Sequence, residues 1–173
     1  MRRPLRSGFW TSALCLAAGC ASFGDGSSLV PGRSTLADVR TSMGEPAMQW
    51  VDADHSVQLS YPRGPAGFQS YMVYVDASGR LVRIQNVMDS SSFYRIERGM
   101  TEQDVLRILG PSVPHWTSNF PARRELVWEW RYCDEFNHSA RFDVLFDSDT
   151  RLVRTSYGHP EMESQLDPRI CAR

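Results

Sequence analysis

The chain has 173 residues, of which 42% are hydrophobic, and its 19 basic and 20 acidic side chains leave a formal net charge of −1. This balance argues against nucleic acid as a partner, because proteins that bind it carry a clustered excess of positive charge. All 19 basic residues are arginine, so chemistry that needs a lysine amine, in a Schiff base or a phosphate-binding loop, is excluded.

Residues 1–19 are a predicted secretory signal peptide. Three arginines at the start precede an apolar run over residues 9–18, which is shorter than the about 20 residues that span a bilayer. The following Ala17-Ala18-Gly19-Cys20 is similar to the lipobox of bacterial lipoproteins. We therefore predict that Cys20 is the lipid attachment site. Ordinary cleavage after Gly19, which leaves a free thiol, is the alternative.

Cysteine counting favours the lipoprotein interpretation. Cys15 is removed with the signal peptide, and the thiol of Cys20 is blocked by the lipid. Cys133 and Cys171 then remain as an even pair in an oxidising compartment, where they are predicted to form a disulfide. Without the signal peptide 16 basic residues face 20 acidic ones, for a net charge of about −4. The Gly- and Ser-rich residues 20–30 are predicted to be a lipidated flexible tether.

A first repeat is predicted over residues 31–88. Thr35 and Asp38 form a capping pair at the start of a short helix, which ends at Gly44. Alternating apolar residues then predict strands. These strands cover residues 48–52, 57–61, 71–75 and 80–84.

A second repeat is predicted over residues 89–157, followed by a tail at 158–173. Thr101, Asp104 and Gly110 repeat Thr35, Asp38 and Gly44 at one constant offset along the chain. Residues 90–96 are a candidate helical turn, and strands are predicted at 126–132, 142–146 and 151–154. Residues 151–154 repeat the Arg-Leu-Val-Arg of 80–83 residue for residue. The sequence thus predicts an α+β fold of two tandem units, each a helix on one face of an antiparallel meander.

Alternation along the strands assigns side chains to the two faces of each sheet. The face under the second helix is predicted to carry Leu126, Trp128, Trp130, Tyr132, Phe142, Val144 and Phe146. The opposite face is predicted to carry Met72, Tyr74, Glu129, Arg131, Arg141 and Asp143. Exposed Met, Tyr and Arg are typical of protein contacts, so these six residues are a candidate partner-binding face. A merely solvated sheet face is the alternative.

The sequence offers little sign of catalysis or metal binding. Asp147, Asp149 and Thr150 fit a hairpin turn better than a phosphatase nucleophile or a calcium loop, because their counterparts in the first repeat are turn residues. Cys133, Asp134, Glu135 and His138 lack the second close Cys/His pair that a zinc site needs. We therefore predict no catalytic residue, no metal and no cofactor.

These motifs resemble one known family. The Gly-Met-Thr of residues 99–101, Val105 and Leu109-Gly110, followed by a Trp, aromatic strands and a turn before Arg-Leu-Val, are similar to the BamE family, also called small protein A (SmpA/OmlA). The resemblance implies lipoproteins on the periplasmic side of the outer membrane that assist β-barrel insertion. A tandem pair of such units also resembles the β-lactamase inhibitor protein, whose concave sheet binds another protein.

Two functions remain open at this point. The first is an outer-membrane lipoprotein that scaffolds or assists envelope assembly without catalysis, through an envelope protein partner. The second is a lipid-tethered protein inhibitor or ligand-binding module, for which a deep pocket or a protruding loop at residues 62–67 or 117–124 is the expected sign.

Overall fold

A computed structural model of the chain describes residues 24, 26–64, 66–161 and 171. The predicted signal peptide and Cys20 lie outside the described residues, as does most of the tail. Among the described residues, no helix is long and apolar enough to cross a membrane. The first half contains α1 (Leu36–Met43), β1 (Met48–Val51), β2 (Val57–Pro62), β3 (Ser70–Val75) and β4 (Leu81–Asn86). The second half contains α2 (Ser90–Phe93), α3 (Glu102–Leu109), β5 (Ser118–Phe120), β6 (Glu125–Cys133), β7 (Ser139–Asp147) and β8 (Val153–Pro160).

The fold is α+β, with two separate four-stranded antiparallel sheets. The first sheet has the order β1-β2-β3-β4 and the second has the order β5-β6-β7-β8. Every neighbour pair in both sheets is antiparallel, as expected for strands joined by short turns. The predicted strands therefore form, and β8 continues to Pro160, beyond the residue at which the second repeat was predicted to end.

The two long helices begin and end in the same way. The hydroxyl of Thr35 accepts from Asp38 N and that of Thr101 from Asp104 N, each at 3.2 Å, and both aspartates bind back to the N-cap amide. Such reciprocal bonds satisfy amides that have no partner within the helix. Both capping pairs predicted from the sequence are thus confirmed.

A side-chain hydrogen bond holds the end of each helix onto its own sheet. Tyr61 Oη donates to the carbonyl oxygen of Gly44 at 3.1 Å, and Trp130 Nε1 donates to that of Gly110 at 3.3 Å. Tyr61 pairs with Tyr71, and Trp130 pairs with Phe142 at the matching register position. Both halves therefore fasten their helix through an aromatic residue of the second strand.

The last hairpin differs between the halves by one residue. Asp76 N donates to the carbonyl of Arg80, whereas Asp147 N donates to that of Leu152. As a result Val153, only 3% exposed, occupies the core position of Leu81, and Leu152 is 37% exposed. The residue-for-residue alignment of 80–83 with 151–154 is therefore wrong by one position, because the second turn contains an extra residue.

The hydrophobic core consists of two clusters. The smaller one joins Val39 and Met43 of α1 to one face of the first sheet, including Leu59 and Val73. The larger one joins α3 to the second sheet and contains five of the seven residues predicted under that helix, while Trp128 and Tyr132 pack against it partly buried. The predicted inner face of the second sheet is confirmed.

The helix α3 also packs against the first sheet, on the face opposite α1. Gln58 Nε2 of β2 donates to the carbonyl of Arg107 at 2.5 Å, and Arg107 forms an ion pair with Asp52 at 2.8 Å. Met72 of β3 belongs to the larger cluster together with Val105 and Leu109 of α3. The layers therefore follow the order α1, first sheet, α3, second sheet.

The described part of the predicted tether is seated on the first half. Gly24 N donates to the carbonyl of Ser42 at 3.0 Å, and Leu29 packs against the smaller cluster. A Cβ on Gly26 would lie 2.9 Å from Ile84 Cδ1. The described residues of the predicted tether thus make backbone and apolar contacts with the first half.

The predicted disulfide is confirmed, since Cys133 at the end of β6 is bonded to Cys171, 38 residues later. Cys171 is 3% exposed, and its amide donates to the carbonyl of Asn137 at 3.1 Å. The bond ties the end of the tail to the β6–β7 hairpin. Cross-links of this kind restrict the unfolded chain most when the loop they close is long.

Gly110 marks the tightest approach between α3 and the first sheet, and its replacement tests that packing. A Cβ there would lie 2.4 Å from Ser60 Oγ, and the backbone has φ +75°. Gly79 has a similar φ of +79° with open space around it. We expect Gly110→Ala to lower the free energy of unfolding by about 2 kcal/mol more than Gly79→Ala, since both strain the backbone but only the first overpacks. Urea unfolding followed by tryptophan fluorescence measures the difference, and equal losses would contradict the described packing.

Candidate binding surface

The predicted binding face divides into a covered part and an uncovered part. In the first sheet, Met72 is fully buried and Tyr74 is half-buried against the larger core cluster. The prediction that these two residues are open to a partner is therefore wrong. Alternation correctly places them opposite α1, but α3 of the same chain covers that face. Glu129, Arg131, Arg141 and Asp143 lie together on the outer face of the second sheet, which no described α-helix covers. The 3-10 helix Pro114–Trp116 contacts this face through Trp116, which stacks on Arg141.

The strand register shows that these faces are equivalent. Val57 pairs with Val75, and Leu126 pairs with Phe146. In both sheets the pairing of the third strand with the last strand shifts register at this point, between Tyr74 and Val75 and between Leu145 and Phe146. Further along the same strands, the Ser60–Met72 pair of the first sheet therefore corresponds to Glu129–Asp143 of the second. Small and apolar side chains stand where α3 packs. Carboxylates stand at the same positions on the outer face of the second sheet.

Like charges lie directly opposite one another on that outer face. Glu129 pairs with Asp143 and Arg131 pairs with Arg141 across β6 and β7. Such cross-strand pairs destabilise a sheet unless other groups compensate them. His159 of β8 and Glu161, which follows it, supply the compensation. These six residues are called the charged cluster below: Glu129, Arg131, Arg141, Asp143, His159 and Glu161.

Ion pairs connect the members of the charged cluster. Arg131 Nη2 lies 2.7 Å from Glu161 Oε2, and Arg141 Nη2 lies 3.2 Å from Glu161 Oε1. Arg141 Nη1 lies 3.0 Å from Glu129 Oε2 on the diagonal. His159 Nε2 lies 3.3 Å from Asp143 Oδ2. Glu161 is thus a bridge between two arginines, with its side chain only 7% exposed.

Aromatic rings lie against both arginines. The Arg141 guanidinium carbon is 3.8 Å from the ring centroid of Trp116, and that of Arg131 is 4.2 Å from Phe68. Stacking of this kind attracts the cation to the ring face and limits its contact with water. A spacing of 66 residues along the sequence suggests that Trp116 corresponds to Trp50, but the register contradicts this, since Trp50 pairs with Gln58 and Ser118 pairs with the equivalent Val127. Trp116 lies two residues before that position, in the 3-10 helix Pro114–Trp116. Phe68 comes from the first half, so both halves contribute to this surface.

Asp143 is the most perturbed acid of the charged cluster. Burial raises its pKa above the ordinary value, the nearby Glu129 raises it further, and His159 and Arg141 oppose the shift. Burial also raises the pKa of Tyr157, with the charge of Asp143 as a smaller cause. A carboxyl whose pKa is raised on folding stabilises the native state while protonated, and loses that contribution as the pH rises through its folded-state pKa.

The turns that carry acidic residues have structural roles. Asp147 Oδ1 accepts from the amides of Asp149 and Thr150 at 3.0 and 2.9 Å, as predicted for a hairpin turn. Asp134 Oδ1 likewise accepts from Phe136 N and His138 N at 2.9 and 2.7 Å. Within the described part of the chain, no three His, Cys, Asp or Glu side chains are grouped as a metal site would require.

Sequence reasoning missed His159 and Glu161, which complete the charged cluster. The predicted boundary at residue 157 places both in the tail, because it follows the repeat of 80–83. The alternation of Thr155, Tyr157 and His159 is the signal that predicts a longer strand here, since all three point to the outer face.

The effect of burying the Asp143 carboxyl can be tested by replacing it with the amide of the same shape. We expect Asp143→Asn to be at least as stable as the unaltered chain at pH 7, because the amide removes a charge that burial disfavours and still accepts from His159. The advantage should disappear below about pH 3, where the carboxyl is protonated in both the folded and the unfolded chain. Urea unfolding at pH 7, 5 and 3 measures the effect.

Asp147→Asn is the matched control with the opposite sign. Bonds from the Thr150 amide and the Arg154 side chain hold the pKa of Asp147 well below its usual range. Its charged form therefore stabilises the fold above its unfolded-state pKa, and the asparagine variant should be less stable at pH 7, by an amount that shrinks in acid. A loss of stability at pH 7 for both variants would contradict the assignment of Asp143.

Comparisons with known proteins add no identity to this picture. The chain matches no protein-family model, no curated protein and no solved structure. The function proposed for it therefore rests on its own residues: the N-terminal sequence up to Cys20, the order of its helices and strands, and the charged cluster.

Proposed function

We propose that this protein is an outer-membrane-anchored periplasmic lipoprotein of the BamE type, with two tandem units, that binds another envelope protein without catalysis. Its role is that of a scaffold, in the assembly of outer-membrane β-barrels or in envelope integrity. The lipobox-like residues before Cys20 support the anchor, and the similarity of both helices to BamE-type motifs supports the class. The partner binds on the charged cluster.

The observation that carries this proposal is the difference between the two outer faces. At equivalent register positions, the first sheet presents Ser60 and Met72 to α3, and the second sheet presents Glu129 and Asp143 with no described α-helix over them. The second unit carries six ionisable side chains at this site. Ion pairs join four of them, Arg131, Glu161, Arg141 and Glu129, and the other two, Asp143 and His159, pair with each other.

The charged cluster has the chemistry of a recognition surface. Ion pairs removed from water add little stability, because desolvation offsets their mutual attraction, and they often serve specificity instead. Each guanidinium is held in a fixed plane by a carboxylate and an aromatic ring, so a partner carboxylate or carbonyl meets donors that are already oriented. Arginine and tryptophan are also the residues that protein interfaces favour.

A second candidate is a lipid-tethered inhibitor or ligand-binding module of the β-lactamase-inhibitor type. A cavity of about 190 Å³ at the junction of the halves favours it. The loop at residues 62–67, where the sequence suggested a ligand site, forms one wall of this cavity, and Trp130 and Met88 form others. A small apolar ligand suits this lining.

The anchor is tested by subcellular fractionation. We expect the wild-type chain in the membrane fraction with incorporated radiolabelled palmitate, and Cys20→Ser in the soluble periplasm without label. Cys15→Ser is the control, because this cysteine lies within the predicted signal peptide and its change should leave both results as in the wild type. A membrane-bound, labelled Cys20→Ser variant would contradict the lipid anchor.

The binding surface is tested by a charge swap that preserves the internal ion pair. A photo-crosslinking amino acid at Thr155, exposed on the outer face, captures the partner in intact cells. We expect Arg131→Glu combined with Glu161→Arg to reduce the yield of the wild-type adduct at least tenfold, since the pair between residues 131 and 161 survives with inverted polarity and meets the partner with like charges. Arg141 loses Glu161 in this variant, but it keeps Glu129 and gains a carboxylate at the paired position 131.

The matched control swaps the surface ion pair between Arg40 of α1 and Glu45, which follows that helix, on the other side of the first sheet. This double variant should give the wild-type adduct in full yield. Circular dichroism establishes that both double variants fold. An adduct that survives the swap in the charged cluster, or that is lost equally with both swaps, would exclude this surface as the binding site.

A further inference from the structure

Among the described strands, β8 has the longest edge that no other strand pairs with. It ends the second sheet and has eight residues, whereas the other edge strands, β1, β4 and β5, have four, six and three. Its first residue is hydrogen-bonded on the side away from β7, since Val153 N donates to the carbonyl of Met100 at 2.8 Å. Beyond Val153, no backbone hydrogen bond from the described residues reaches the outer edge of this strand.

The register identifies the backbone groups on this edge. Glu161 N donates to the carbonyl of Ser139 at 3.1 Å, so the backbone of residue 161 faces β7. Successive residues of a strand direct their backbone groups to opposite sides. The pairing between β7 and β8 is regular from Ala140–Pro160 to Leu145–Thr155, so this alternation holds throughout that stretch. The amides and carbonyls of Ser156 and Gly158 therefore point away from β7, toward the free edge. Pro160 contributes a carbonyl there but no amide.

A groove of about 400 Å³ follows this edge. The consecutive residues Ser156, Tyr157 and Gly158 all line it, although their side chains alternate between the faces of the sheet, so the groove runs along the strand backbone. The helix α2 forms the opposite wall through Phe93 and the adjoining Tyr94, and Tyr94 is 86% exposed. An extended chain placed here would lie between a strand edge and a helix.

The lining of the groove is uncharged and rich in aromatic rings. None of its nine residues is charged, and five are aromatic. Phe93 stacks on Phe142 with ring centroids 4.0 Å apart, which forms a flat apolar floor. A Cβ on Gly158 would lie 2.6 Å from Tyr132 Oη, so glycine at this position leaves room for the Tyr132 ring, which also lines the groove.

We propose that the edge of β8 binds an extended peptide segment of a partner protein as a fifth strand of the second sheet. The segment carries uncharged apolar or aromatic side chains at every second position. Backbone bonds to Ser156 and Gly158 provide the affinity, and the groove accepts the alternate side chains, as in other strand-addition sites. An uncharged lining rejects a charged side chain, because burial without a partner is costly.

This edge site is separate from the charged cluster on the outer face. It does not depend on the proposed scaffold function, because its occupant is recognised by backbone geometry and not by charge pattern. Each site has its own variants, so failure of one leaves the other in place.

The test uses a short synthetic peptide in which phenylalanine or valine alternates with threonine, with one arginine at each end for solubility. Binding to the purified full-length chain is followed by fluorescence anisotropy. Ser156→Pro removes an outward amide without removing a bond to β7, and proline is tolerated at such edge positions. We expect it to weaken binding at least tenfold, while Ser156→Ala, which keeps the amide, stays within twofold of the wild type.

A second pair of variants tests the aromatic wall. Tyr94→Ala should weaken binding about two- to tenfold, in line with the loss of one aromatic contact. Phe136→Ala is the matched control, since Phe136 is 72% exposed on the β6–β7 turn and does not line the groove. Thermal unfolding establishes that all four variants are folded. A peptide of the same composition without alternation should bind at least fivefold more weakly.

Three results would overturn the proposal. The first is no saturable binding of the alternating peptide to the wild-type chain. The second is equal affinity for Ser156→Pro and Ser156→Ala. The third is self-association of the wild-type chain in sedimentation that Ser156→Pro abolishes, because the edge would then pair with a second copy of the chain and not with a foreign segment.

Discussion

The contact between the end of α3 and the first sheet determines how the molecule is arranged. Gly110 lies so close to Ser60 that no side chain fits between them, and Gln58 binds the carbonyl of Arg107 one turn earlier. The helix therefore covers two sheets at once, its own through Val105 and Leu109 and the first through its C-terminal turn. A unit of about 60 residues is only marginally stable alone, and this shared helix gives both units a larger common core.

The same contact makes the two units unequal. The first unit gives up the outer face of its sheet to the helix of the second, so the positions of Ser60 and Met72 are under packing constraints. No described α-helix packs on the outer face of the second sheet, and its equivalent positions carry Glu129 and Asp143. A duplicated module thus has one face used for internal packing and one available for an external partner. The β8 edge belongs to the same unit and adds a different kind of surface, which is defined by backbone groups and aromatic rings.

Several elements were predictable from sequence because their causes are local. The capping pairs of Thr35 with Asp38 and Thr101 with Asp104 involve neighbours in the chain, and the glycines that end both helices follow the same logic. Seven of the eight strands follow from alternation, and the inner face of the second sheet follows from their apolar residues. The exception is β5 (Ser118–Phe120), which lies where a loop over residues 117–124 was expected, because three residues are too few to show a pattern. The pairing of Cys133 with Cys171 followed from counting. One error was also local in origin: the repeated Arg-Leu-Val-Arg hid an extra turn residue and shifted the alignment of Leu81 and Val153.

The sequence by itself determined the helices, the strands and the face to which each side chain points, because these depend on the repeat of the helix, the alternation of the strand and contacts within one turn. Only the tertiary structure decided what lies over each face. Alternation placed Met72 and Asp143 on equivalent outer faces, but it did not indicate that α3 buries the first while the second pairs with His159 of β8. The physical reason is that covering a face depends on elements distant in the chain, and only their relative packing determines which outer faces remain open.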